Sequence, residues 1–153
     1  GIVPYARGES LAAVRLGENG DVTKSALWEK HGRWQSTDVP TPVIADGKVY
    51  LLTDLGRIDC LKLQTGEVLW SADLPKNRNK YYASPVLAGD KLYCAREDGA
   101  LFVGQVSETG YKQLAANSLD ERIIASLVPV RGGLLVRGDE YLYMLGGNPI
   151  AGR

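Results

Sequence analysis

Apolar positions in this chain come in short runs, and Gly, Pro or Asp-Gly punctuation interrupts them roughly every eight to twelve residues. No 3.6-residue periodicity survives such interruption, so the pattern predicts strands and turns and argues against helices. The stretch Thr41 to Ala45 reads as a strand, Asp46-Gly47 as a hairpin turn, Lys48 to Thr53 as a second strand and Asp54-Leu55-Gly56 as a turn. Arg57 to Leu63 then reads as a third strand, Gln64-Thr65-Gly66-Glu67 as a turn and Val68 to Ser71 as the start of a fourth. The bends carry Asp-Gly and Thr-Gly, which tolerate the positive φ of tight turns. Within the strands, Val49-Tyr50-Leu51-Leu52 and Ala100-Leu101-Phe102-Val103 are apolar without alternation. That suits strands covered on both faces by neighbouring sheets.

The pattern repeats. Thr41-Pro42-Val43-Ile44-Ala45-Asp46-Gly47-Lys48-Val49-Tyr50 returns 43 residues later as Ser84-Pro85-Val86-Leu87-Ala88-Gly89-Asp90-Lys91-Leu92-Tyr93. A weaker copy, Ser126-Leu127-Val128-Pro129-Val130, follows after 42 more. A period in the forties built from short strands predicts β-propeller blades. The expected fold is all-β, a propeller segment of four-stranded antiparallel blades, two complete and two partial. The expected limits are a partial blade at about residues 8–30, blades at 41–73 and 84–116, and a partial blade at 126–146.

At the N-terminal end Ser10 to Leu16 and Ala26 to Glu29 read as third and fourth strands, with Trp28 lying 42 residues before Trp70; the first two strands read as missing. At the other end Leu127 to Val130, Leu134 to Arg137 and Tyr141 to Leu145 supply three strands, and a fourth reads as missing. If the N-terminal piece of one copy completes the C-terminal piece of another, each chain contributes about three blades and a dimer about six. Unpaired strand edges invite such association.

Composition narrows the partners. The 18 basic and 18 acidic residues cancel, so no net field steers the chain toward nucleic acid or an anionic membrane. No apolar stretch approaches the roughly 20 residues of a membrane-spanning helix.

The string Gly56-Arg57-Ile58-Asp59-Cys60-Leu61-Lys62-Leu63-Gln64-Thr65-Gly66-Glu67-Val68-Leu69-Trp70 resembles the repeat of pyrroloquinoline-quinone-like (PQQ-like) propellers. Their pattern is roughly G-x-hydrophobic-x-A-hydrophobic-D-x-x-T-G-x-hydrophobic-hydrophobic-W. Cys60 stands in place of the usual alanine and Lys62 in place of the usual Asp, while the third unit reads Leu114 where a tryptophan is expected. The resemblance covers about Leu11 to Leu145. It implies that Trp28 and Trp70 dock between adjacent blades, where a buried indole supplies apolar area and its N–H reaches a neighbouring carbonyl. The arrangement is similar to bacterial envelope propellers without an assigned function and to the scaffold lipoproteins of outer-membrane protein assembly. That similarity implies an extracytoplasmic setting, the periplasm or cell envelope.

Quinoprotein dehydrogenases in this family hold their quinone in a central funnel over a tryptophan, beneath a disulfide of adjacent cysteines and beside calcium bound by Glu, Asn and Asp. The only cysteines here, Cys60 and Cys94, are 34 residues apart, and free buried thiols are the simpler reading. No cofactor is expected; pyrroloquinoline quinone with calcium is the alternative. Metal ligation finds one histidine, His31, in what reads as a loop, and no zinc-like spacing. No catalytic Ser, His and carboxylate set stands out. Asp54, Glu97 and Asp98 sit at corresponding turns and read as turn residues. Gly132-Gly133 and Gly146-Gly147 lack the strand-to-helix setting of a phosphate loop.

The best candidate contact surface is the connection between blades containing Lys76, Asn77, Arg78, Asn79, Lys80, Tyr81 and Tyr82. It concentrates cations, amides and aromatic rings in a loop. The corresponding stretches Arg33 to Asp38 and Asp120-Glu121-Arg122 carry different charge. The sequence thus predicts a non-catalytic binding or scaffold module with a protein partner or copies of itself. A quinone-dependent oxidoreductase fragment is the alternative, and carbohydrate binding through Tyr81, Tyr82 and Trp34 is the weaker one.

Overall fold

The computed structural model describes residues 1–17, 20–21, 24–32 and 37–146. Its strands form four antiparallel sheets, each built from neighbours in sequence. Strands β1 (Ile2–Tyr5), β2 (Ser10–Ala13) and β3 (Trp28–His31) make the first. β4 (Val43–Ala45), β5 (Lys48–Leu52), β6 (Arg57–Lys62) and β7 (Val68–Asp73) make the second. β8 (Val86–Ala88), β9 (Lys91–Ala95), β10 (Ala100–Val106) and β11 (Tyr111–Ser118) make the third, and β12 (Val128–Val130), β13 (Gly133–Arg137) and β14 (Leu142–Leu145) the fourth. These sheets are the blades of a partial propeller. Among the described residues no helix is long and apolar enough to cross a membrane.

The first strands of successive blades lie closest to one another. The Thr41 N–H donates to Ser84 Oγ at 2.9 Å, and the Ser84 N–H donates to Ser126 Oγ at 3.0 Å. The repeat that announces itself in sequence therefore stitches blade to blade at its opening residue.

The unalternating runs divide between two joints. Val49 and Leu51 point into the cluster between the first and second blades, with Leu11 and Leu61. Tyr50 and Leu52 point into the cluster between the second and third, with Leu92, Cys94 and Phe102. A strand buried on both faces has no position left for a polar side chain.

Two sequence expectations change. The N-terminal sheet is larger than the reading from residue 8 allows, because Ile2–Tyr5 pairs along Ser10–Ala13 and adds a second strand to the third and fourth. Among the described residues the two end sheets have three strands each. Joined edge to edge, these two sheets would bring together six strands where a whole blade has four. Pro4 is compatible with β1 because that strand is an edge, where a missing N–H leaves no ladder bond unmade.

The second change concerns register. Tyr50, Cys60 and Trp70 form one cross-strand row, and Tyr93, Val103 and Ala115 form the corresponding row of the third blade. Both fourth strands carry a bulge at this point, on Leu69 and on Leu114. Ala115, not Leu114, therefore occupies the tryptophan's place.

Candidate functional site

Antiparallel order places the connections between blades at the same end as the turns joining second and third strands. Hydrogen bonds fasten the two together: the Tyr81 N–H donates to Asp54 O at 3.0 Å, the Glu97 N–H to Lys80 O at 2.9 Å and the Ile123 N–H to Glu97 O at 3.1 Å. The result is one continuous rim. Asp54 accepts from the Asp38 N–H at 3.1 Å and the Val39 N–H at 3.3 Å, so its carboxylate holds the incoming connection in place.

The candidate loop is shaped from within. Asn77 Oδ1 accepts from both the backbone N–H and the side chain of Asn79, at 3.0 and 3.1 Å, and Asn79 Nδ2 also donates to Asp98 Oδ2 at 3.2 Å. Arg96, 7% exposed, braces the loop from below. Its guanidinium donates to Asp98 at 2.8 and 3.0 Å and to Pro75 O at 3.1 Å, and lies 5.2 Å from the Phe102 ring centre. The hydrogen bond from Arg96, together with its charge, holds the Asp98 carboxyl below the ordinary carboxylate range against the upward push of partial burial.

Lys76, Arg78 and Lys80 are exposed on this frame. Beside them Lys76 and Asn77 border a hollow of about 360 Å³ with Thr53, Leu55, Arg57 and Asp73. Farther along the rim, Asp120, Glu121, Asp139 and Glu140 surround a second hollow of about 340 Å³ with Arg122 and Tyr141. The rim is thus polarised, cationic over the second joint and anionic over the third.

Tyr81 does not belong to that surface. It is 1% exposed, its ring centre lies 6.2 Å from that of Phe102, and its hydroxyl has no hydrogen-bond partner. Burial pushes its phenol up to about 12 against the pull of Arg96. Tyr82 is half-buried. Trp34 and its neighbours Arg33, Gln35 and Ser36 lie outside the described residues. The carbohydrate reading therefore loses one of its three aromatic rings to the core.

Trp28 and Trp70 are held between blades. The Trp28 indole N–H donates to Leu63 O at 2.8 Å and the Trp70 N–H to Ser107 O at 3.1 Å. Gly66, at φ 70°, lies so close under Trp28 that a Cβ there would stand 2.7 Å from Cδ2.

His31 ends a strand instead of lying in a loop. Its Nδ1 lies 3.1 Å from Ser10 Oγ and its Nε2 3.1 Å from Glu29 Oε2, a Ser, His and carboxylate group the sequence does not reveal. Only the pairing of Ser10 with His31 brings the group together. Ser10 is 6% exposed, and the arrangement locks β2 to β3.

The described residues do not fit a quinone and calcium site. Both tryptophans of the repeat position are spent on blade joints. Cys60 and Cys94 are free, buried thiols in one core cluster, pushed up by burial to about 11 and about 12. Asp54 and Asp98 are turned to backbone N–H groups and to Arg96 and Asn79.

A family model described as Outer membrane protein assembly factor BamB (PQQ_2) matches residues 9–144. The BamB of Salmonella typhimurium is 26% identical over 161 residues, covering 91% of this chain and 40% of the relative. The chain thus spans about two fifths of the length of the relatives it matches. Among solved structures, BamB from Moraxella catarrhalis superposes with a TM-score of 0.65 at 14% identity, over 95% of this chain and 46% of that one. A europium-containing methanol dehydrogenase superposes with a TM-score of 0.53 at 19% identity, over 71% of this chain and 21% of that one. At such identities the superpositions speak to fold alone. The family match, spanning both whole blades and most of the two partial ones, places this chain in the PQQ_2 family of BamB-like propellers.

Proposed function

We propose that this chain is a non-catalytic propeller segment that binds protein through its polarised rim, as part of a scaffold in the bacterial envelope. The observation that carries this reading is the braced loop: Arg96, Asp98, Asn77 and Asn79 fix its backbone while Lys76, Arg78 and Lys80 stand free to meet an acidic polypeptide segment. Pre-organised loops bind with less ordering cost, and paired fields of opposite sign fix the orientation of a partner. The relatives named for outer-membrane protein assembly support both the scaffold role and the extracytoplasmic setting. Copies of this chain are a second partner class, since each three-stranded end sheet leaves an edge open to another strand.

The test is photo-crosslinking from position 80 in an envelope extract, beside the double variant K76E/R78E carrying the same crosslinker. A discrete crosslinked protein, lost on charge reversal and weakened by salt, is the expected result. Equal crosslinking by the variant defeats the reading. The oxidoreductase alternative is tested by adding pyrroloquinoline quinone with calcium and following dye-linked alcohol oxidation; saturable binding with turnover would establish it.

A further inference from the structure

The joint between the third and fourth blades is closed at one end and open at the other. Towards the rim Ala83, Ala95, Leu101, Ile123, Leu127 and Val136 pack as a buried cluster. Towards the opposite end, where the Gly132-Gly133 turn lies, the blades part around a groove of about 500 Å³. Tyr93, Leu101, Val103, Leu134, Leu145 and Gly146 line it. The groove is the open continuation of the packed interface, since Leu101, Leu127 and Val136 border both.

The register at this joint differs from that at the other two. The row facing this joint runs Tyr93, Val103, Ala115, where the two preceding joints have Ile2, Ala13, Trp28 and Tyr50, Cys60, Trp70. Across the first joint Trp28 packs on the cluster containing the paired residues Val49 and Leu61. Leu134 and Leu145 are paired at the corresponding place in the fourth blade, and both line the groove. Leu134 and Leu145 match Val49 and Leu61 in apolar character, and the row position that carries an indole at the other two joints carries Ala115 here. The volume lies within the range of ligand-binding cavities.

We propose that this groove is a docking site for an aromatic side chain, tryptophan above all, carried by a partner polypeptide. The chain itself defines the chemistry, because the same repeat twice closes the equivalent space with an indole. Aromatic anchors that fill a preformed apolar pocket dominate many protein interfaces. The inference rests on the protein-binding reading only for the source of the side chain; the groove is tested without it.

The experiment titrates N-acetyl-tryptophanamide into the isotopically labelled chain and follows amide shifts by NMR. Saturable shifts grouped at Val103, Ala115, Leu134 and Leu145 are expected, with N-acetyl-alaninamide at least ten-fold weaker. Ala115→Trp fills the space from within and is expected to abolish the shifts and raise Tm. Absence of shifts at millimolar probe, equal response to the alanine compound, or undiminished binding by a folded Ala115→Trp protein overturns the proposal. A result against the groove leaves the rim crosslinking test untouched, and the reverse also holds.

Discussion

The Trp70 indole N–H donates to the carbonyl oxygen of Ser107 at 3.1 Å, joining the last strand of one blade to the third-strand end of the next. Its ring lies 6.1 Å from that of Tyr50 and is 8% exposed. Removing the indole empties the joint between the two complete blades. Trp70→Ala is expected to cost about 3–5 kcal/mol. Trp70→Phe keeps much of the apolar area, loses the hydrogen bond and leaves Ser107 O without its donor, at a cost of about 1–3 kcal/mol. Urea unfolding of both variants checks the order.

Gly56 faces a steric limit with a named neighbour. It sits at φ 89°, and a Cβ there would stand 2.7 Å from Tyr81 Cε2. Gly56→Ala adds left-handed strain to a clash with a fully buried ring, for an expected loss of about 2–4 kcal/mol. Tyr81→Phe does the opposite, removing a buried hydroxyl that has no partner, and is expected to be neutral or stabilising by up to about 1 kcal/mol. Thermal melts of the two proteins distinguish clash from packing.

Acid stability follows from Asp98. Its folded-state value is lowered, chiefly by the hydrogen bond from Arg96, so the stability it contributes is present above the ordinary carboxylate range. That contribution is lost as pH falls through the depressed folded value. Asp98→Asn is expected to be less stable than the parent at pH 7 and to show a shallower decline on acidification. Parallel denaturation curves at both pH limits would refute this.

The two thiols predict a chemical result. With Cys60 pushed up to about 11 and Cys94 to about 12 by burial, neither holds appreciable thiolate at pH 8, and both are closed to solvent. Alkylation by iodoacetamide at pH 8 is expected only after denaturant is added, when both cysteines react. Mass spectrometry before and after unfolding gives the count; rapid labelling of the folded chain contradicts the burial.

Much of this architecture is legible in the sequence because repeated Gly-containing turns and unalternating apolar strands point the same way. What escaped has physical causes. Ile2–Tyr5 has no repeat copy to identify it, and Pro4 argues against a strand until the strand is known to be an edge. The third-blade tryptophan position drifted from Leu114 to Ala115 because β10 and β11 stay paired for longer beyond their bulge than β6 and β7 do, which only cross-strand pairing reveals. Adjacent tyrosines in a polar loop do not disclose which of them turns inward, and Tyr81 does. The polarised rim could be foreseen as charged loops but not as one surface, since hydrogen bonds between blades gather it.

The run from Thr41 through Ser84 to Ser126 gives the assembly a sense of direction. Each blade offers an N–H forward and a hydroxyl backward, so the contact is heterologous, a head meeting a tail. A first strand completing the first blade would bring an N–H to the Thr41 hydroxyl, and a blade following the fourth would bring a serine or threonine to the Ser126 N–H. Rotation in one sense satisfies this grammar and the opposite sense breaks it, so a single atom pair per blade fixes the order in which a ring is filled.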